Sequence, residues 1–209
     1  MSRTRIVVFA KAPEVGKVKT RLIPELGRSG ARDLAQELLS WTCRQVGSLS
    51  NVEKELCGSP APDDPRWAAV FWDHTWLLTD QGEGDLGQRL AHATARSLGE
   101  GHHVILIGTD CPSLTGEHLA VCVRALEEYE TVMIPAVDGG YVLLGVRYFD
   151  PLIFQGIAWS TSTVAEETRK RIAHLGWSFR EWPALPDIDE PGDLRYLPEE
   201  LKITLKGRS

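Results

Sequence analysis

"RIVVFAKAPEVGKVKTRL", residues 5–22, joins an apolar run rich in β-branched residues to a basic loop. The run "RIVVFA" (5–10) does not alternate with polar residues, the pattern of a strand covered on both faces, as in a parallel sheet sandwiched by helices. In the loop behind it, Pro13 and Gly16 shape the backbone, and Lys11, Lys17, Lys19 and Arg21 supply charge. Short loops between a strand and a helix offer backbone N–H groups to anions, and Lys and Arg add charge and paired hydrogen bonds. The loop therefore reads as a phosphate site, against the plainer reading of a solvated basic loop. It follows neither the GxxxxGK[ST] nor the GxGxxG order.

The same alternation continues along the chain. Apolar residues at 31, 34, 35, 38, 39 and 46 predict an amphipathic helix over 29–47, closed by Gly47. Strands are predicted at 52–57, 76–80, 103–108, 131–137, 141–146 and 177–182, and helices at 85–99, 115–129 and 162–176. "GSPAPDDPRW" (58–67) is a surface loop, the aromatics of "FWDHTW" (71–76) read as core or rim packing, and "LKITLKGRS" (201–209) as a short strand or a frayed tail. Strands alternating with helices predict an α/β fold, a mostly parallel sheet with helices on both faces, in a single domain spanning 1–209.

Apolar residues make up 43% and charged residues 25% of the 209, which suits a globular chain rather than a disordered one. No run approaches the roughly 18 apolar residues that span a membrane, and the N-terminus lacks a signal-peptide pattern, so the expectation is a cytoplasmic protein with no membrane insertion. Cys43, Cys57, Cys111 and Cys122 form no CxxC pair and read as reduced, mostly buried thiols. The six scattered histidines suggest no metal site. The net charge of −6 argues against nucleic acid as the partner. Yet residues 1–21 hold Arg3, Arg5, Lys11, Lys17, Lys19 and Arg21 against Glu14 alone, a cationic patch on an anionic body. Such a patch suits a small anionic ligand better than a long polyanion.

In sheets of this kind ligands bind beyond the carboxyl ends of the strands, and three further segments fall there. "LIGTDCPSL" puts Asp110 at the end of an apolar strand, where a carboxylate suits Mg²⁺, or simply turns the chain. Cys111 beside it reads as a small core residue, since no histidine partners it as a nucleophile. "PAVDGGYVLLG" is either a plain hairpin turn or a place where Gly139 and Gly140 let a substrate reach the backbone and Asp138 contacts it. "LPDIDEPGDL" crowds Asp187, Asp189, Glu190 and Asp193, which repel one another unless solvated or bound to a cation; Asp189 could also cap a helix. Asp85, before the helix in "QGEGDLGQRL", reads as a cap.

Taken in order, "FAKAPEVGKVKTRL", "GEGDLGQRL", "IGTDCPSL", "PAVDGGYVLLG", "WSTSTV" and "DIDEPGDL" resemble an uncharacterised bacterial family of predicted transferases with a glycosyltransferase-A fold, related to the phospholactate guanylyltransferases. The resemblance implies a Rossmann-like nucleotide-diphospho-sugar transferase domain. It implies that Lys11, Lys19 and Arg21 bind nucleotide phosphates, that Asp110 holds a divalent metal, and that an acid from 187–189 completes the coordination. The Asp-x-Asp common at that metal strand is here "TDCP", which leans away from sugar transfer.

The expected function is thus nucleotidyl transfer from a nucleoside triphosphate to a small acceptor, with Mg²⁺ or Mn²⁺. Lys19 and Arg21 would neutralise phosphoryl charge, and Asp138, Gly139 and Gly140 would position the acceptor. Glycosyl transfer from a nucleotide sugar and a non-catalytic nucleotide sensor are the alternatives. Both cationic side chains are expected to stand exposed in the absence of ligand. Oligomeric state is not legible.

Overall fold

The structure, a computed structural model, describes residues 3–68, 70 and 74–206, with backbone alone for 203–206. Seven strands join one sheet: β1 (Thr4–Lys11), β2 (Val52–Ser59), β3 (Trp76–Asp80), β4 (His103–Ile107), β5 (Thr131–Pro135), β6 (Tyr141–Val146) and β7 (Phe179–Glu181). Their order across the sheet is β3-β2-β1-β4-β6-β5-β7. Every predicted strand is present, and only β6 runs against the rest, antiparallel to both β4 and β5. The hairpin from β5 returns the chain into the gap beside β4, so its turn lies at the end of the sheet where β1 and β4 also finish.

β1 occupies the centre, paired in parallel with β2 and β4, and Ile6, Val7 and Val8 are fully buried. Its unbroken apolar pattern follows from having helices on both faces. One face packs against α1 (Ile23–Gly47) and α3 (Gly116–Ala125) through Leu39, Val46, Leu119 and Cys122. The other packs against α2 (Leu86–Gly99) and α4 (Val164–Leu175) through Leu90, Ala93, Ala165 and Ile172.

The helix starts follow local chemistry. Asp85 caps α2 as expected, its side chain accepting from the Gln88 N–H at 2.8 Å while Gln88 reaches back to the Asp85 N–H at 2.9 Å. Gly27, at φ 70°, breaks the first turn of α1 from the rest, so the regular helix begins close to the predicted position 29.

The C-terminal expectation needs correction. The chain forms a helix, α5 (Glu199–Lys206), where a short strand or frayed tail was expected. Leu201 packs with Leu34 and Leu38 of α1 and with Leu197 and Ile188, and burying each such leucine stabilises by about 1.5–3 kcal/mol. Of the "FWDHTW" aromatics, Trp76 is half-buried against the core; Phe71 and Trp72 lie outside the described residues, as do 207–209.

Candidate active site

The loop after β1 turns at Gly16, whose φ of +77° favours glycine, and the Lys17 N–H closes that turn on the Glu14 carbonyl at 3.1 Å. It then reaches Lys19, which adopts left-handed φ (46°) immediately before a 3-10 turn. The Lys19 side chain is only 7% exposed, contrary to the expectation that it stands free. Its ammonium donates to the Ile188 carbonyl at 2.6 Å and to Asp189 Oδ1 at 3.0 Å, and pairs with Asp110 Oδ1 at 2.7 Å. Burial pulls the lysine pKa down, but Asp110 and Asp189 outweigh it, so the group is held above the ordinary lysine value and stays charged.

This one side chain fastens three segments: the basic loop, the end of β4, and the stretch after β7. The last of these is led across the strand ends by backbone bonds, Leu185 N–H to Pro135 carbonyl at 3.0 Å and Ile188 N–H to Asp110 carbonyl at 2.8 Å. Asp193 folds back to accept from the N–H groups of Asp189 and Glu190, at 3.1 and 2.7 Å. Asp193 therefore shapes the turn, and Asp189 is left to face the site rather than cap a helix.

Asp138, Asp187 and Asp189 offer carboxylate oxygens that all lie within 4.8 Å of one another. Asp187 is pushed up to about 6, first by burial and then by the neighbouring charges of Asp138, Asp189 and Asp110. Three carboxylate oxygen donors this close together are a fit for a hard divalent cation such as Mg²⁺ or Mn²⁺. The sequence expectation had Asp110 in the metal set and Asp138 on the acceptor. The geometry brings Asp138 together with Asp187 and Asp189, while Asp110, half-exposed beside them, pairs with Lys19, as Asp189 also does.

The glycine pair divides by role. A side chain on Gly139 would place its Cβ 2.0 Å from the Ser162 carbonyl oxygen, and the Ala165 N–H donates to the Gly139 carbonyl at 2.9 Å. Gly139 thus lets the hairpin dock on the start of α4. Gly140 donates its N–H to Asp138 Oδ1 at 2.8 Å and borders the cavity that Asp110, Asp138 and Asp187 line.

Lys11, Lys17, Lys19 and Arg21 line a cleft of 550 Å³ together with Asp110, Asp138 and Asp189, and Asp187 lines a smaller cavity beside it. Lys11 and Lys17 are exposed and make no ion pair among the described residues; Arg21, 69% exposed, lies 3.7 Å from Glu190. The only two non-glycine residues with positive φ among the described residues, Lys19 and Ser160 (63°), both line this cleft. Backbone strain of this kind clusters at functional sites.

Two contributors escaped sequence reading. Gln81 is buried and donates its amide to the carbonyls of Ala10 and Cys57 at 3.1 and 3.0 Å, fixing the end of β1 beneath the loop. Ser160 carries only its backbone angle as a mark. One sequence expectation shrinks and another holds. Arg5 belongs elsewhere, buried among Glu53, Glu55 and Glu100, and adds nothing to the loop's charge. The thiols of Cys111, Cys122 and Cys43 are each pushed up to about 12 by burial and that of Cys57 to about 11, which fits inert core groups.

A mostly parallel sheet with a reversed β6, acids at its carboxyl ends and a basic loop after β1 define an α/β protein with the nucleotide-diphospho-sugar transferase type of fold. The chain belongs to the family of uncharacterized proteins conserved in bacteria, DUF2064, whose profile matches residues 42–161. A Desulfovibrio desulfuricans G20 protein provisionally named a nucleotide-diphospho-sugar transferase is 30% identical, with a TM-score of 0.86 over 93% of this chain and 85% of that one. The manganese complex of Rv0371c from Mycobacterium tuberculosis H37Rv (17% identity, TM-score 0.55) aligns over 95% of this chain and 99% of its own. A 4-diphosphocytidyl-2C-methyl-D-erythritol synthase from Anaerococcus prevotii DSM 20548 (12%, TM-score 0.59) aligns over the same shares. At those two identities the likeness is one of fold. No curated protein matches the chain in sequence.

Proposed function

We propose that the protein is a metal-dependent transferase that holds the phosphates of a nucleotide between its basic loop and its carboxylate cluster. The observation that carries this reading is the charge arrangement of the cleft. Lys11, Lys17 and Arg21 line it together with Asp138 and Asp189, whose carboxylates converge with that of Asp187 within 4.8 Å. Asp138, Asp187 and Asp189 would hold Mg²⁺ or Mn²⁺, which when bound supplies positive charge to phosphoryl oxygens. Lys11, Lys17 and Arg21 bind the remaining phosphate oxygens, and Lys19, already neutralised by two acids, keeps loop and cluster in register.

The preferred reaction is nucleotidyl transfer. An acceptor oxygen bonds to the α-phosphorus, the bond from that phosphorus to its bridging oxygen breaks, and pyrophosphate leaves. Such chemistry asks the protein for in-line positioning and charge neutralisation more than for a covalent partner. Lys11 and Lys17, without an ion pair among the described residues, and the exposed Arg21 suit the high charge of a triphosphate. Glycosyl transfer is the second reading, supported by the name of the Desulfovibrio relative. The four thiols, all free, suit a reducing compartment such as the cytoplasm.

A thermal-shift panel of nucleoside triphosphates and nucleotide sugars, each with Mg²⁺, Mn²⁺ or EDTA, tests this, because ligands selective for the native state raise Tm. The expected result is a metal-dependent shift with a triphosphate, followed by pyrophosphate release when acceptors are added. A shift confined to nucleotide sugars moves the assignment to glycosyl transfer. Binding without any turnover describes a sensor, and no shift with any member rejects the reading.

A further inference from the structure

Beside the charged cleft lies a second recess of 240 Å³, between the start of α2, the ends of β1 and β4, and the segment leading into α4. The two share Phe9, Leu86, Gly108, Asp138 and Ser160, so they are continuous, with Asp138 at the junction. Their chemistry differs sharply. The recess is walled by Phe9, Leu86, Leu90, Tyr141, Val142 and Trp159, and no lysine or arginine lines it.

The recess has a preformed aromatic wall. The Tyr141 ring meets Trp159 edge to face at 6.4 Å, and Trp159 in turn packs so closely on α2 that any side chain at Gly87 would lie 2.4 Å from its indole nitrogen. The aromatic wall is therefore held rigidly from behind. The rim residue Ser160 carries the left-handed backbone noted above, and Leu86 at the mouth is 43% exposed.

We propose that this recess is the acceptor subsite and that the acceptor is an uncharged hydroxyl compound with a ring-sized apolar body, not a sugar phosphate. The inference rests on the nucleotide reading above. A phosphate-bearing acceptor would require cations where the recess has none, and the 550 Å³ cleft is by itself within the range that accommodates a whole nucleotide. The apolar body fills the recess, and its hydroxyl end lies toward Asp138, where the two cavities meet.

The test uses N-phenyl-1-naphthylamine, a neutral fluorophore that brightens in apolar sites, titrated into the whole protein with and without nucleoside triphosphate and Mn²⁺. The expected result is saturable binding that survives the addition of triphosphate and Mn²⁺. 2-Phenylethanol competes with the probe, and sugar phosphates do not. Thr161→Glu, at an exposed position that lines the recess and not the cleft, and Val164→Trp, which fills the recess, each weaken the probe at least tenfold. Both leave the nucleotide-dependent Tm shift in place; should Val164→Trp not fold, Thr161→Glu alone decides. Displacement of the probe by triphosphate would assign the recess to the nucleotide and overturn the proposal. So would competition by sugar phosphates, absence of probe binding, or binding indifferent to the variants. If no nucleotide shifts Tm while the probe behaves as described, the nucleotide reading fails and the apolar site remains.

Discussion

Two clusters of acids and bases lie in this molecule, and they are built to opposite plans. Beneath α2, the fully buried carboxylate of Glu55 is shared between Arg5, at 3.6 Å, and Arg96, with Thr79 donating to it at 2.6 Å. Arg5 also pairs with Glu53 at 2.8 Å and with Glu100. Every charge there has an opposite charge against it. At the carboxyl ends of the strands, by contrast, Asp110, Asp138, Asp187 and Asp189 crowd together, and among the described residues the buried Lys19 pairs with Asp110 and Asp189 alone. One cluster is electrically closed and holds the sheet to its helix. The other is short of positive charge and open to a cleft, which is the condition of a site awaiting a cation.

The largest expected effect breaks the closed cluster. Glu55→Ala leaves Arg5 and Arg96 without their buried partner, and breaking a buried pair from one side costs about 3–5 kcal/mol. Urea unfolding should show the loss as a lower midpoint. The matching change at the open cluster, Asp187→Asn, should leave metal-free stability intact or slightly raised, because it removes one of several repelling carboxylates. Its effect falls on the cation: Mn²⁺ affinity, read by calorimetry, should drop on the order of 100-fold, at or beyond the upper end of the losses seen for groups that only orient ligands. A fall in stability as large as that of Glu55→Ala would show that the open cluster is structural after all.

The two clusters also respond to pH with opposite sign. The Arg5 hydrogen bond holds Glu53 below its ordinary value, with burial opposing and the charges of His102 and Arg5 helping. Its stabilisation is present above the unfolded carboxylate range and is lost as pH falls through the folded value. Asp187 is raised to about 6, so the native state holds its proton more tightly than the unfolded chain does. Its contribution to metal-free stability is therefore lost as pH rises from about 4 through about 6. A cation must displace that proton, and Mn²⁺ affinity should fall about tenfold per pH unit below about 6 and level off above it. A flat affinity from pH 5 to 7 would remove Asp187 from the ligand set.

How far each cluster could be read from sequence follows from how local its signals are. The strands were legible because double-sided burial writes an unbroken apolar run, as in β1 and β4, and Asp85 was legible as a cap because its partner Gln88 is three residues away. That the basic loop, Asp110, the 138–140 turn and 187–189 meet in space followed from their positions at strand ends. The partnerships did not follow. Lys19 finds Asp189 across 170 positions and Glu55 finds Arg96 across 41, and nothing in local composition records either pairing. For the same reason Arg5 was counted with the loop, since adjacency in sequence hid that it lies at the opposite end of β1, about 20 Å along the strand from Lys11. The helix α5 was missed because Leu201 gains meaning only against Leu34 and Leu38 of α1.

Lys19 is where the two plans meet, since it is buried like a structural cation yet touches the open cluster. Replacing it separates the roles, because its backbone and its charge act independently. Lys19→Ala and Lys19→Gly both remove the ammonium and leave Asp110 and Asp189 facing each other unpaired. Only glycine also relaxes the left-handed backbone at φ 46°, so it should be the more stable of the two by about 1 kcal/mol. Ligand binding should not follow that ranking. Without the ammonium the cluster is more negative, so Mn²⁺ alone should bind either variant at least as tightly as the wild type. A nucleoside triphosphate with Mn²⁺ should bind both more weakly, to the same degree, because the loop that carries Lys11, Lys17 and Arg21 has lost its tie to the strand ends. Calorimetry of metal alone and of metal with nucleotide separates these outcomes. If the glycine variant recovered nucleotide affinity along with stability, backbone shape rather than charge would be what Lys19 contributes, and the open cluster would work without its one cation.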